Sequence, residues 1–216
     1  LLGGSFAWKA CVLDADALNA LAAGAVPPGA LPENTVLTPH PGEMARLTGL
    51  TVAQVQADRP GVAARYAARH RCVLVLKGSG TVIAAPDGRL LHNGTGNPGL
   101  ARGGSGDILA GMIAALLAQG LAPADAAACG VWLHGAAADR CAARKSQLAM
   151  LPHDIFDDLG ALLAGMARKA AQADKIQAKP PRRRAPLSAG AVRRRGVWRS
   201  AVCRGFGGHR PPKASI

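Results

Sequence analysis

The sequence predicts an α/β protein whose central sheet is mostly parallel, is flanked by helices on both faces and includes a small antiparallel portion. Short apolar and β-branched runs alternate with alanine-rich segments of helical pattern, which is typical of parallel strands joined by crossover helices. The runs CVLVL and TVLT are apolar on both faces, as expected of strands that helices cover on each side. These two observations together indicate the fold class.

Five strands are predicted from the apolar runs. Only Ser79 and Gly80 separate the third run from the fourth, which is too short a link for a crossover, so the two should pair as an antiparallel hairpin. Asp87 and Gly88 then turn the chain into a fifth strand, and the sheet becomes mixed. The predicted strands are residues 10–15, 34–39, 72–78, 81–86 and 89–93.

The predicted helices are bounded by residues that commonly begin or end a helix. Thr51 and Asp58 are predicted N-caps, and Pro60 falls early in the helix that Asp58 begins. Gly120 is placed to end the helix that follows Asp107. The predicted helices are residues 15–23, 42–48, 61–70, 106–119, 123–145 and 153–168.

Charge divides the chain of 216 residues into two parts. Residues 1–167 contain 12 basic and 12 acidic side chains, and we expect them to form the folded domain. Residues 168–216 contain 14 basic side chains and one acidic one, with clustered Pro and Gly and no periodicity from about residue 169, which predicts a disordered basic tail. Two interpretations of the tail stay open: a tether to an anionic polymer or membrane surface, or a nonfunctional extension, such as an out-of-frame translation.

Composition and motifs argue against several classes of protein. The five cysteines are odd in number and lack the spacing of a zinc site, which predicts reduced thiols. No stretch approaches the roughly 18 apolar residues of a membrane span, and no signal-peptide pattern is present, so we expect a soluble, cytoplasmic protein. The P-loop string GxxxxGK followed by Ser or Thr is absent, and the GxGxxG string at 94–99 has no helix directly behind it.

The segment GNPGLARGGSGDILAGMIAALLAQG, residues 96–120, carries the strongest functional signal. A helix that begins after its glycines would leave the amides of residues 104–107 without intrahelical partners, in a position that favours an anion such as phosphate. A phosphate would repel Asp107, which predicts a task for this carboxylate: taking the proton from a hydroxyl that attacks the phosphoryl group. From the loop alone, the alternative that Asp107 only caps the helix stays open.

Three other predicted strand ends carry polar residues. LTPHPGE places His40 and Glu43 after the second strand, and LDADALN places Asp14 and Asp16 after the first. LKGSGT places Lys77 and a glycine turn after the third strand, an arrangement suited to a second phosphate or a nucleotide. Ligands of open α/β sheets bind at the carboxyl ends of the strands. One such end would be interpreted as structural, whereas four together predict a ligand site.

In this order, VLDADALN, LTPHPGEMARL, VLKGSGTVIA, the segment 96–120 and GVWLHGAAAD resemble the ADP- or ATP-dependent NAD(P)H-hydrate dehydratases of the ribokinase-like superfamily, over about residues 10–165. The resemblance implies a ribokinase-like fold and a repair enzyme. This hydro-lyase would return the S epimer of hydrated NADH or NADPH to the normal dinucleotide while it cleaves ADP or ATP with Mg²⁺. It also implies phosphorylation of the hydrate's hydroxyl, followed by loss of phosphate.

The resemblance further implies the site residues. Asp107 would activate the hydroxyl and contact the hydrate, which His40 would also bind. Glu43 stands where ribokinase-like enzymes keep the Glu of their Asn-x-x-Glu motif, so it would indirectly help to organise magnesium and phosphate, and His40 replaces the Asn. The anion hole would consist of Gly103, Gly104, Ser105 and Gly106, and the nucleotide site of Lys77, Gly78, Ser79, Gly80, Thr81 and Gly106.

The resemblance assigns no role to two further side chains of these segments. Arg102 could reach a phosphate or point to solvent, and His134, in an alanine-rich helix, is predicted to pack there. Ribokinase-like domains usually begin further upstream, so the first strands, with part of the substrate site, and the epimerase domain often fused ahead of such dehydratases are expected to be missing. We expect a functional link to an NAD(P)H-hydrate epimerase, and a homo-oligomer.

Three alternatives to an active dehydratase stay open. The first is a ribokinase-like kinase of a small vitamin precursor such as a hydroxymethylpyrimidine, although HPGE together with NPG favours the dehydratase. The second is a nucleic-acid binder that works through the arginine-rich tail. The third is an inactive fragment.

Overall fold

The structure, a computed structural model, describes residues 9–25, 31–32 and 34–177. Its five strands form one sheet in the order β1-β2-β3-β4-β5, so neighbours in sequence are neighbours in space. All five predicted strands are confirmed, each shorter than its apolar run. The strands are β1 Cys11–Leu13, β2 Thr35–Leu37, β3 Val73–Leu76, β4 Val82–Ala84 and β5 Leu90–His92.

The sheet is mixed, as predicted. β1 pairs with β2 and β2 with β3 in parallel, whereas β3–β4 and β4–β5 are antiparallel. Among the described strands only β4 therefore runs against the others. The short link at Ser79 and Gly80 makes the β3–β4 hairpin, with Leu76 opposite Val82. The strand direction places the carboxyl ends of β1, β2 and β3 at one edge of the sheet, where a ligand would bind.

Seven α-helices and two short 3₁₀ turns, Pro98–Leu100 and Pro152–Asp154, accompany the described strands. The side chains of Thr51 and Asp58 accept hydrogen bonds from the amides of Gln54 and Gly61, which confirms both predicted caps. Gly120, at φ 84°, follows the end of α5 as predicted. The helices are α1 Asp16–Ala22, α2 Pro41–Thr48, α3 Val52–Ala57, α4 Arg59–His70, α5 Ser105–Ala118, α6 Pro123–Lys145 and α7 Ile155–Gln177.

Two helix predictions need correction. The helix α3 was not predicted, although its cap Thr51 was, because six residues are too few to show a helical repeat; the helix forms through the Thr51–Gln54 capping box and the buried Val55. The last helix extends to Gln177 and not to 168, because the Ala, Lys and Gln residues that follow are strong helix formers whatever their pattern.

The chain divides into two compact units, Leu1–Leu159 and Gly160–Ile216, and the described part of the second is the helical segment 160–177. The predicted boundary at 167/168 stays a prediction. The predicted disorder of the tail is not observed for residues 168–177, which belong to α7, and from 178 on it concerns residues outside the described part. Among the described helices, none is long and apolar enough to cross a membrane.

Helices cover both faces of the sheet, as predicted, and each face has its own apolar core. Successive residues of β2 and β3 alternate between the two cores, as the two-residue period of a strand requires. One core packs Leu37, Leu74 and Leu76 with Leu18, Met44 and Val62. The other packs Val36, Val73 and Val75 with Leu109, Ile113 and Val131.

Candidate active site

The carboxyl ends of the three parallel strands meet at the ammonium group of Lys77. Its Nζ atom lies 2.6 Å from Oδ1 of Asp14, which follows β1, and 3.8 Å from Oε2 of Glu43, which follows β2. The side chains of Lys77, Asp14 and Glu43 are 19%, 12% and 7% exposed. Two carboxylates and one ammonium thus lie together at the strand ends, largely shielded from solvent, where charges interact more strongly than in water.

His40 and Glu43 begin helix α2 as a reciprocal cap. The Nδ1 atom of His40 accepts hydrogen bonds from the amides of Gly42 and Glu43, and Oε2 of Glu43 accepts one from the His40 amide at 2.7 Å. Because Nδ1 accepts, the neutral ring carries its proton on Nε2, which lies 3.4 Å from Oε1 of Glu43. The His40 side chain is 51% exposed, so this Nε2–H group can reach a ligand.

The glycine-rich loop ends at the first turn of α5. Gly104 is the N-cap, at φ 92°, a left-handed conformation that a residue with a Cβ adopts only with strain, and no side chain caps the helix. Among the described residues, the amides of Gly104, Gly106 and Asp107 have no hydrogen-bond acceptor, and the first intrahelical bond is donated by Ile108 to the Gly104 carbonyl. Three of the four predicted anion-binding amides are therefore free to bind, whereas the Ser105 amide donates to the Arg102 carbonyl at 3.3 Å.

Asp107 occupies the third position of α5 and is exposed. Its carboxylate makes no hydrogen bond or ion pair with any described residue, so it does not cap the helix through a hydrogen bond, although its place in the first turn suits the helix dipole. Gly106, directly before it, faces the charged cluster: a Cβ at Gly106 would lie 3.3 Å from Nζ of Lys77 and 3.4 Å from Oδ2 of Asp14. The anion loop and the strand-end charges thus form one site.

The loop ahead of the anion hole is tied to helix α6 by Asp139. One carboxylate oxygen accepts the amide of Gly96 at 2.9 Å, and the other accepts the side-chain amide of Asn97 at 3.0 Å. The side-chain oxygen Oδ1 of Asn97 in turn accepts a hydrogen bond from the amide of Gly99, and a Cβ at Gly99 would overlap the sulfur of Met150. These contacts hold the NPG segment against the protein and set the path of the glycines that follow.

The predicted nucleotide loop leaves β3 at Lys77. Gly78, Ser79 and Gly80 are exposed, and the hydroxyl of Thr81 donates to the Gly78 carbonyl at 2.9 Å. Beneath the loop lies the guanidinium of Arg59, the first residue of α4; burial lowers its pKa. Among the described residues, no hydrogen bond or ion pair joins residues 78–81 to the start of α5, whereas Lys77 pairs with Asp14 and Glu43 of the charged cluster.

Arg102 is exposed at the surface, whereas His134 is buried. Arg102 donates to the carbonyl of Leu148 at 2.6 Å. His134 packs inside the protein as predicted, 6% exposed, and its Nε2 atom is buried with no partner among the described residues, like the hydroxyl of Ser105. Burial lowers the pKa of His134 to about 4, partly offset by a hydrogen bond to the backbone of Ser105. His134 thus lies against the first turn of α5.

Sequence reasoning missed three side chains that shape the site. Asp14 was recognised at a strand end but received no role, since a sequence does not show that Lys77 reaches it across β2. Asp139 stood in the quoted GVWLHGAAAD segment, and Arg59 beside a predicted cap. In each case the signal was a charged residue next to an apolar element, which is common on any protein surface.

Comparison with known proteins identifies the family of this chain. Residues 6–160 match the family model of NAD(P)H-hydrate dehydratase. Over 155 residues, 72% of this chain and 29% of the relative, the sequence is 53% identical to the bifunctional NAD(P)H-hydrate repair enzyme Nnr of Moorella thermoacetica. Over 61% of this chain and 45% of the relative, it is 52% identical to the ADP-dependent (S)-NAD(P)H-hydrate dehydratase of Neisseria meningitidis. The chain thus spans less than half the length of these two relatives.

Solved structures give the same result for the fold. The ADP/ATP-dependent NAD(P)H-hydrate dehydratase of Bacillus subtilis, co-crystallised with ATP/Mg²⁺ and soaked with CoA, is 39% identical and superposes with a TM-score of 0.64 over 72% of this chain and 56% of that one. A ribokinase-like superfamily protein of Enterococcus faecalis is 31% identical, with a TM-score of 0.62 over 74% and 54%. The predicted ribokinase-like fold is confirmed, and the chain belongs to the NAD(P)H-hydrate dehydratase family.

Proposed function

We propose that this chain carries the catalytic machinery for nucleotide-dependent dehydration of (6S)-NAD(P)H hydrate to NAD(P)H, a metabolite repair reaction. Membership of the family and the names of relatives from Moorella, Neisseria and Bacillus support this proposal. The chain contains the strand ends and the glycine loop at which the proposed chemistry takes place.

One observation carries the proposal: an exposed, unpartnered carboxylate, that of Asp107, stands beside the free amides at the start of α5. An anion hole without a base would only bind phosphate. A base without an anion hole would leave the negative charge of the transition state unstabilised. Together they suit transfer of a phosphoryl group to a hydroxyl. Gly103, Gly104, Ser105 and Gly106 are the proposed anion hole, and the helix dipole adds to its positive potential.

In the proposed reaction, Asp107 takes the proton of the hydrate's hydroxyl while the oxygen of that hydroxyl attacks the terminal phosphorus of ADP or ATP. The P–O bond to the leaving AMP or ADP breaks, and the hydroxyl becomes a phosphate ester. The C–O bond of this ester then breaks, and phosphate leaves with the oxygen of the former hydroxyl. The neighbouring carbon loses a proton to solvent water, and the electron pair of its C–H bond forms the double bond of NAD(P)H. A phosphate leaves far more readily than a hydroxide, so the nucleotide drives the dehydration.

The nucleotide is proposed to bind at Lys77, Gly78, Ser79, Gly80 and Thr81, with its phosphates directed toward Gly106. Magnesium prefers a few carboxylates together with substrate phosphates over a cage made by the protein alone. Among the described residues no group of three or more His, Cys, Asp or Glu forms such a cage, which suits an ion that arrives on the nucleotide. Glu43 would act indirectly, since its carboxylate already holds the His40 amide and lies near Lys77.

The hydrate is proposed to contact Asp107 and the exposed Nε2–H group of His40. We further propose a cytoplasmic homo-oligomer that works together with an NAD(P)H-hydrate epimerase, a partner suggested by the bifunctional relatives. The four described cysteines are free thiols, in keeping with a reducing compartment.

The test is recovery of absorbance at 340 nm from S-NADHX after addition of the protein, Mg²⁺ and ADP or ATP, with phosphate measured in parallel. We expect one phosphate released for each NADH formed. No recovery with either nucleotide would contradict the proposal. Transfer of phosphate from ATP to a hydroxymethylpyrimidine, without recovery of NADH, would instead establish the small-molecule kinase.

A further inference from the structure

The guanidinium of Arg59 holds the backbone of the loop that follows β3. Its Nη2 atom donates to the carbonyls of Leu76 at 3.0 Å, Lys77 at 3.4 Å and Gly80 at 3.5 Å. Its Nη1 atom donates to Oε1 of Gln56 at 3.1 Å. One side chain from the start of α4 therefore fixes the direction of three peptide groups in this loop.

These carbonyl directions determine where the amides of the loop point. In a planar trans peptide, the C=O and the following N–H point in opposite directions, and no peptide among the described residues is cis. Because the carbonyls of Lys77 and Gly80 face Arg59, the N–H groups of Gly78 and Thr81 face away from it. Among the described residues, the amides of residues 78–81 have no hydrogen-bond acceptor, so these donors are available to a ligand.

The close approach of Arg59 to the loop depends on glycine. A Cβ at Gly78 would lie 2.7 Å from Nη1 of Arg59, and Gly78 and Gly80 have φ values of 141° and 63°. Side chains at these positions would separate the loop from the guanidinium or strain the backbone. The two glycines and Arg59 thus form one arrangement, which the glycine turn alone did not reveal.

The charge of Arg59 is not cancelled locally. No described carboxylate lies within ion-pair distance of its guanidinium, whereas Arg65, on the same helix, pairs with Asp58 at 3.1 Å. A positive charge behind a row of outward-facing amides makes an anion-binding surface, since carbonyls that would repel the anion are turned inward. A nucleoside diphosphate or triphosphate matches this surface in charge.

We propose that Arg59 is a positioning residue for the nucleotide: it turns the carbonyls of Leu76, Lys77 and Gly80 inward, so that the amides of Gly78 and Thr81 face the phosphates or ribose of the bound nucleotide. This inference rests on the proposed function, because it assumes that the nucleotide binds at this loop. Arg59 does not touch the nucleotide and acts only through the backbone.

The test is calorimetric titration of ADP and of ATP, with Mg²⁺, into the wild-type protein and into Arg59→Met, Arg59→Lys and Arg65→Gln. We expect Arg59→Met to weaken nucleotide binding about tenfold to a hundredfold, by analogy with lost orienting contacts. Arg59→Lys should restore only part of the affinity, since an ammonium cannot donate to three spread carbonyls as a guanidinium does. Arg65→Gln, the matched control, should bind as the wild type does.

Steady-state kinetics then separate positioning from a general loss of structure. The KM for nucleotide should rise in Arg59→Met, whereas the KM for S-NADHX should stay within about twofold of the wild type, because only the nucleotide contacts the loop. Circular dichroism checks the fold of each variant. If Arg59→Met does not fold, amide resonances of the wild-type protein replace it: those of Gly78 and Thr81 should shift when ADP is added.

The outcomes distinguish this inference from the proposed function. A wild-type protein that binds neither ADP nor ATP would overturn both. Nucleotide binding by the wild type with unchanged affinity in Arg59→Met would overturn the positioning role alone. Unshifted Gly78 and Thr81 resonances would overturn it together with the proposed nucleotide site at residues 77–81. Weaker nucleotide binding in Arg59→Met together with a normal KM for S-NADHX would support it.

Discussion

The ammonium of Lys77 lies 2.6 Å from the carboxylate of Asp14, although 63 residues separate the two and their strands are not neighbours in the sheet. β1 and β3 flank β2, so the Lys77 side chain reaches across the end of β2, where Glu43 lies 3.8 Å from the same ammonium. One cation thus joins the exits of three strands. The start of α5 is placed against this junction at Gly106.

Removing the ammonium should destabilise the fold. Lys77→Met leaves the carboxylates of Asp14 and Glu43, 12% and 7% exposed, without their cation. Breaking a buried pair in this way costs about 3 kcal/mol. The loss should be smaller when Asp14→Asn is combined with Lys77→Met, because only the Glu43 carboxylate then remains without a cation. Urea denaturation of both single variants and the double variant measures the coupling.

The control for this double-mutant cycle is the Asp58–Arg65 pair, whose side chains are 53% and 69% exposed. Its coupling free energy should be below about 1 kcal/mol. Strictly additive effects of Lys77→Met and Asp14→Asn would show that the inner pair contributes no more than the surface pair.

Adding one methyl group at Gly106 should impair catalysis without unfolding the protein. The new Cβ would lie 3.3 Å from Nζ of Lys77, a flexible side chain that can shift, and 3.4 Å from Asp14. The shift displaces the cation beside the anion hole by a few tenths of an ångström, and since a misplacement of about 1 Å costs up to about a hundredfold in rate, the loss should be about tenfold. We expect Gly106→Ala to lower kcat/KM in the 340 nm assay at nearly unchanged thermal stability. Wild-type turnover would place the reacting phosphoryl group away from Gly106.

Removing the proposed base should abolish most of the activity. In Asp107→Asn the side chain keeps its size but no longer takes a proton, so kcat should fall about a hundredfold to ten-thousandfold. Asp107 is exposed and bonds to no described residue, so the free energy of unfolding should stay almost the same. The exposed Asp157, in the first turn of α7, provides the matched control Asp157→Asn. Equal activity of the two variants would remove Asp107 from the mechanism.

The sequence predicted the layers of the fold because apolar periodicity determines them. Each predicted strand lies where an apolar run stands, and the hairpin follows from the two-residue link at Ser79 and Gly80. Helix ends were also predictable where a cap is a local pattern, as at Thr51 and Asp58. The short α3 and the extension of α7 were missed, since neither depends on a long apolar pattern.

Contacts of the candidate site were predictable only where they are local. The unpartnered amides at the start of α5 follow from one segment, and the structure contains them. The Lys77–Asp14 pair, the Asp139 tie to Gly96 and the Arg59 contacts each join segments that are 17 to 63 residues apart. The capping role of His40 was not predicted, because a histidine in this segment suggested a ligand contact and not a helix cap.

Acid should destabilise the protein through His134. Burial lowers its pKa to about 4, below the ordinary value of 6.5, so between these pH values the unfolded chain binds a proton that the folded one does not. His134 therefore contributes nothing to pH dependence above 6.5, and stability falls as the pH decreases from 6.5 to 4, by about 3 kcal/mol in all.

His134→Gln removes this titration. Urea denaturation of both proteins at several pH values from 7.5 to 4.5 should show a shallower loss of stability in the variant. The same slope in both would mean that His134 is protonated in the folded protein or that the fold relaxes around it.

The same change, glycine to alanine, should have opposite effects at two positions in neighbouring helices. In α6, a Cβ at Gly135 would overlap Oγ1 of Thr95 and lie 2.7 Å from its backbone carbonyl carbon. Backbone cannot rotate away as a side chain can, so Gly135→Ala should destabilise the fold by about 1–3 kcal/mol. In α5, nothing lies within 4 Å of a Cβ at Gly111, so Gly111→Ala should stabilise by about 0.5–1 kcal/mol through helix propensity.

Thermal denaturation of the two alanine variants measures this contrast, and the assay at 340 nm adds a second readout. Thr95 precedes Gly96, which Asp139 holds, so displacement by Gly135→Ala should also move the loop that leads to the anion hole and lower turnover. Gly111→Ala should leave turnover unchanged. If both variants were equally stable, the loop at Thr95 would have room to move away from α6, and the close approach at Gly135 would not constrain the site.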